Sequence, residues 1–150
     1  AGVLAWLWLA PGRRGKEPST PIKFSLGLIF VGAGFAVLVV AATLAQNGVR
    51  VSPMWLVTTY LLHTFGELCL SPVGLSAMTK LAPARIAGLV MGVWFLATSV
   101  GNFIAGRLAG FYEAMPLPTL FTNIALFGII AGLLLLPIAP PIKRLMGEVK

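Results

Sequence analysis

The sequence predicts an all-α fold, a polytopic transmembrane helix bundle. Three observations carry that prediction. Of the 150 residues 58% are hydrophobic, only 10% are charged, and the apolar residues fall into unbroken runs close to membrane-spanning length. A soluble domain carries roughly 25% charged residues, and one this apolar would expose patches that drive aggregation. The strands of a membrane β-barrel alternate polar and apolar positions, and these runs do not. Disorder requires low hydrophobicity. A disulfide scaffold requires more than the single Cys69.

The runs can be taken in order. Residues 1–10 are apolar, but a helix of that length reaches about 15 Å, half of a roughly 30 Å hydrocarbon core. No basic stretch precedes them, so they do not read as a signal peptide. They read as the end of a truncated membrane helix, with a re-entrant or surface segment as the alternative. Residues 24–45 hold no charge and are rich in Gly, Ala and Val. Residues 54–78 are apolar except for His63 and Glu67. Residues 86–106 are uncharged, with Arg107 just beyond, and residues 119–138 are uncharged again. Each of these four runs is near the roughly 20 residues that a membrane helix needs.

Proline and glycine punctuate the connections. Pro11-Gly12, Pro18 and Pro21 precede the first full span, Asn47-Gly48 and Ser52-Pro53 follow it, Ala82-Pro83 marks the third turn, and Pro116 and Pro118 the fourth. Pro137, Pro140 and Pro141 are expected to close the last helix, because proline lacks the amide that helix propagation uses. Gly88 with Gly92, Gly106 with Gly110, Gly128 with Gly132, and Gly32 with Ala36 form small-xxx-small pairs, which permit close helix approach.

The net charge of +7 would suggest nucleic acid in a soluble chain. Here the basic residues cluster between apolar runs, as membrane topology demands, and no nucleic-acid partner is expected. Arg13, Arg14, Lys16, Lys23, Lys80, Arg85, Lys143, Arg144 and Lys150 fall on one side of the membrane. Only Arg50 and Arg107 fall on the other. The positive-inside rule then makes loops 10–23 and 79–86 and the C-terminus cytoplasmic.

Glu67 is the most informative residue. A charge at the bilayer centre costs roughly 2.5–3.5 kcal/mol on insertion scales, so a partner, a cavity or protonation must offset it. Its two readings are a substrate or proton site and a purely structural anchor. His63, four residues earlier, shares its helix face. It is either a candidate proton relay or an interfacial side chain bonded to a backbone carbonyl. Ser71 follows one turn after Glu67. Pro72 then frees a carbonyl and Gly74 loosens the helix, so a helix break is expected there; transporters build sites at such breaks near the midplane. Trp94, mid-span, either lines a cavity or fills a gap. Catalytic chemistry has little to work with: the chain has no Asp, one His and one Cys. Neither a metal nor an organic cofactor is expected, and the chain does not read as an enzyme.

The stretch Gly66-Glu67-Leu68-Cys69-Leu70-Ser71-Pro72-Val73-Gly74-Leu75-Ser76, followed by Thr79-Lys80-Leu81-Ala82-Pro83, resembles the tenth-helix signature of the proton-dependent oligopeptide transporters of the major facilitator superfamily. Pro18-Ser19-Thr20-Pro21-Ile22-Lys23-Phe24 with Gly27-Leu28, and Met91-Gly92-Val93-Trp94-Phe95-Leu96 with Gly101-Asn102, resemble the same family in the same order. The resemblance implies the end of helix eight and helices nine to twelve, so that residues 1–150 are part of the C-terminal six-helix half. The N-terminal half would be a missing partner.

It further implies a multi-pass protein of the cell membrane that carries di- and tripeptides by proton-coupled symport and alternating access, with protons as the coupling ion. Glu67 would receive the peptide's terminal amine, Ser71 would add a polar contact, and Trp94 would line a side-chain pocket. Pro72 and Gly74 would flex as a gate. The alternatives are transport of another small solute such as nitrate, and a non-transporting membrane assembly module.

Overall fold

A computed structural model describes residues 18–146. The truncated span expected at 1–10 and the loop expected as far as residue 17 lie outside the described residues. Helix α1, Thr20–Gln46, begins inside the segment expected to be loop. Pro21 in its first turn explains the early start, since the amides there need no helical partner. The helix ends at Asn47 and Gly48. Gly48 takes a φ of 76°, a left-handed conformation that favours glycine, and Val49 N–H donates back to the Leu44 carbonyl at 3.1 Å.

Helix α2, Met54–Leu81, is continuous through Pro72. The break expected at Pro72 and Gly74 is therefore absent from this conformation. Pro72 removes only the bond to the Leu68 carbonyl, and a single lost bond is tolerated in a membrane helix. A 3-10 turn at Ala84–Ile86 follows Pro83, then α3, Ala87–Ala109. The last helix, α4, covers Leu117–Met146 and contains Pro137, Pro140 and Pro141. These prolines do not close it as expected; residues on either side carry enough helical bonds to continue.

Among the described residues three segments are long and apolar enough to cross a membrane: Thr20–Gln46, Ala84–Ala109 and Leu117–Arg144. At 28 residues, α2 extends about 42 Å, but His63, Glu67 and its Ser and Thr residues make it the least apolar of the four helices. Helix α1 is the centre of the assembly and packs along both α2 and α4. It runs antiparallel to each, since Phe24 meets Gly74 while Gly34 meets His63, and Ser25 meets Gly132 while Gly32 meets Ala125.

Missing side chains set the approach. A methyl added at Gly27 would stand 3.0 Å from the Gly66 carbonyl oxygen, and one at Gly32 2.9 Å from that of Ala125. The Ser25 hydroxyl, fully buried, donates to the Gly132 carbonyl at 2.6 Å. By contrast α3 meets α2 only lightly and buries none of its residues. Gly88, Gly92 and Gly106 face open space, so of the small-residue pairs those on α1 and α4 are the ones in helix contact.

Candidate functional site

Helix α2 repeats a face at 64, 67, 68, 71, 72 and 75, a spacing of three and four that lines up one side of a helix. That face and the middle of α3 enclose a cleft of about 600 Å³, lined by Thr64, Glu67, Leu68, Ser71, Pro72 and Leu75 on one wall and by Trp94 and Phe95 on the other. The size falls within the roughly 300–1,000 Å³ usual for small-molecule sites. Apolar walls with a few convergent polar groups are also usual for such sites.

Glu67 and Ser71 supply the polarity. Both are exposed to the cleft, and among the described residues neither side chain is taken up by a hydrogen bond within the chain. The Thr64 hydroxyl is committed to the Tyr60 carbonyl at 2.8 Å. Glu67 is therefore the charged group that the cleft offers to a ligand.

Trp94 is half-buried, and its position has a clear cause. The ring lies where a Cβ on Gly74 would be, and the Phe24 ring tip would stand 2.8 Å from that Cβ. Gly74 is thus a seat in which the indole rests against α2, with α1 behind it. The Thr98 hydroxyl donates to the Trp94 carbonyl at 3.0 Å, and that of Ser99 to the Phe95 carbonyl at 2.9 Å. The polar residues of α3 next to the cleft are satisfied on their own helix.

Of the residues singled out from the sequence, Glu67, Ser71, Pro72 and Trp94 come together in the cleft. Gly74 supports it from behind. His63 goes elsewhere. Its ring packs over Gly34 and against Phe35, with ring centroids 4.8 Å apart, in the seam between α1 and α2. Its Nε2 is buried without a hydrogen-bond partner among the described residues. No group of three His, Cys, Asp or Glu residues capable of holding a metal occurs among the described residues. Arg107 ends α3 with its guanidinium 5.3 Å from the centroid of the Phe103 ring, and does not line the cleft. Thr64, Leu68, Leu75 and the seat role of Phe24 were not singled out; the three-and-four spacing from Glu67 would have found the first three.

Comparison with known proteins follows the same lines. The family model described as the POT family matches residues 1–125. A peptide transporter of Yersinia enterocolitica, YePEPT, is 45% identical over 99% of this chain and 30% of its own length. A di-/tripeptide transporter of Lactococcus lactis is 38% identical over 99% of this chain and 29% of its own. Among solved structures, a POT family transporter in complex with a thioalcohol-conjugated peptide superposes with a TM-score of 0.84 at 31% identity, over 95% of this chain and 28% of that one. The chain thus spans about 30% of the length of the curated relatives it matches.

Proposed function

The chain belongs to the POT family, a family of membrane transporters rather than enzymes, and from that premise we propose that it is the C-terminal part of a proton-coupled symporter of di- and tripeptides. The observation that carries the reading is the convergence of Glu67, Ser71 and Trp94 on one cleft. The names of the Yersinia and Lactococcus relatives support the substrate class.

In this reading Glu67 holds the peptide's N-terminal ammonium. An ammonium–carboxylate bond is charge-assisted and roughly twice as strong as a neutral hydrogen bond. Ser71, one turn along, adds a polar contact. Trp94 and Phe95 offer broad apolar surface that accepts many side chains without demanding one. A carboxylate in the cleft disfavours an anion such as nitrate, which leaves a peptide as the better cargo. The peptide's carboxylate end is met by basic groups outside this chain.

Transport proceeds by alternating access, with the missing half rocking against this one. Protons are the coupling ion, and no cofactor takes part. Inward proton movement yields about 2.3 kcal/mol per charge for each 100 mV of membrane potential. The gate flexes at Pro72, where α2 lacks one backbone bond, rather than at a standing break. The His63 ring packs against Gly34 and Phe35 in the α1–α2 seam and does not line the cleft, which argues against a relay role. The loops at 10–23 and 79–86 and the C-terminus face the cytoplasm of the cell membrane.

Dipeptide uptake by the complete transporter in liposomes with an inward proton gradient tests the site. Glu67→Gln and Glu67→Ala are both expected to abolish uptake while reconstitution stays at the wild-type level. Wild-type uptake by both variants would sink the assignment of Glu67.

A further inference from the structure

A second cavity, of about 250 Å³, opens on the opposite flank of α2, between the first turns of α1 and the last turns of α2. Thr20 and Lys23 line it from α1, and Pro72, Ser76 and Lys80 from α2. No acidic residue is among its described lining. Lys23 is only 9% exposed, an unusual degree of burial for a lysine, whereas Lys80 is exposed. Both lysines already take part in polar or electrostatic interactions of the chain. Among the described residues neither the Thr20 nor the Ser76 hydroxyl is used in a hydrogen bond within the chain.

We propose that this cavity binds a phosphate-bearing anion, supplied either by a phospholipid headgroup or by free phosphate. Lys23 and Lys80 line the cavity from different helices together with Thr20 and Ser76, and a phosphate has oxygens enough for four such donors. The volume admits a phosphate together with the glycerol portion of a lipid. The cavity also sits at the helix ends that carry the basic residues, where anionic headgroups gather and each lysine near the surface attracts them. Pro72 borders both this cavity and the Glu67 cleft, so an occupant here rests against the same residue as the cargo. The proposal depends on the membrane placement of α1 and α2 and not on peptide as the substrate.

The test uses the complete transporter in neutral detergent, with thermal unfolding followed during titration by dioctanoylphosphatidylglycerol, dioctanoylphosphatidylcholine or inorganic phosphate. Phosphatidylglycerol, phosphate or both are expected to raise the wild-type midpoint saturably, and phosphatidylcholine is not. A shift with phosphatidylglycerol alone assigns a lipid headgroup, and a shift with phosphate assigns the free anion. Lys80→Gln, at an exposed position, is expected to weaken the apparent affinity roughly 5-fold, and Lys23→Gln with Lys80→Gln roughly 30-fold. Lys80→Arg should bind like the wild type. Absence of any wild-type shift overturns the proposal, and so does a Lys80→Gln titration indistinguishable from wild type. Peptide uptake in vesicles of phosphatidylcholine alone reads the transport proposal separately.

Discussion

Gly74 shows how an absent methyl group positions a binding surface. The indole of Trp94 and the ring of Phe24 converge on the point where a Cβ would stand, and Gly74 lies buried within a helix. Gly74→Ala is therefore expected to push Trp94 out of its seat, at a cost of about 1–3 kcal/mol typical of overpacking. Because Trp94 lines the cleft, the KM for peptide uptake should rise as well. Gly92→Ala, on α3 with open space around it, is the control and should change neither. Thermal unfolding and uptake kinetics of the two variants check the contrast; equal behaviour would refute the seat. Glu67 was legible in the sequence because a charge inside an apolar run is costly wherever it points. The role of Gly74 was not. From sequence it reads as a loosened helix position, since the residue that fills its niche comes from another helix.

At the scale of elements, the α1–α4 seam is the tightest contact and gives a graded expectation. Ser25→Ala removes a buried hydrogen bond to the Gly132 carbonyl. In membrane helices such bonds average about 0.6 kcal/mol and reach about 1.7. Gly32→Ala places a methyl 2.8 Å from the Ile129 nitrogen and 2.9 Å from the Ala125 oxygen. Both are backbone atoms, which yield only if the whole helix moves. Gly32→Ala is thus expected to destabilise more than Ser25→Ala, as read by the thermal midpoint in detergent; the reverse order would show that the helices separate freely. The helices themselves were legible, because uncharged runs bounded by proline and glycine have few other solutions. Their ends were less so. Pro72 and the three prolines of α4 read as stops, yet the helices continue through them, since one missing donor costs less than exposing several backbone groups to lipid. Which small-residue pairs touch was also hidden, as Gly88 and Gly92 have the same spacing as Gly128 and Gly132 and differ only in having no neighbour.

At the scale of the whole molecule, the chain is asymmetric. Helix α1 is enclosed by two neighbours, whereas α3 leaves Phe95, Leu96, Phe103 and Ile104 uncovered. An uncovered apolar helix is the expected state of a segment that spans about 30% of its relatives' length. The antiparallel course of α1, α2 and α4 brings Lys23, Lys80, Lys143 and Arg144 to one end, and Arg50 lies beyond the opposite end of α1. Charge and fold thus divide the molecule along the same axis, and the positive-inside rule assigns the basic end to the cytoplasm. Single cysteines test that assignment in the complete transporter. Cys69 is buried, and a Cys69→Ser background removes it. Ser52 and Ala84 are both exposed and lie in the connections at opposite ends of α2. In intact cells a membrane-impermeant maleimide is expected to label Ser52→Cys at once and Ala84→Cys only after the membrane is opened. The reverse pattern would invert the transporter in the membrane and place the lysine cavity on the outer face, while leaving the Glu67 cleft where it is.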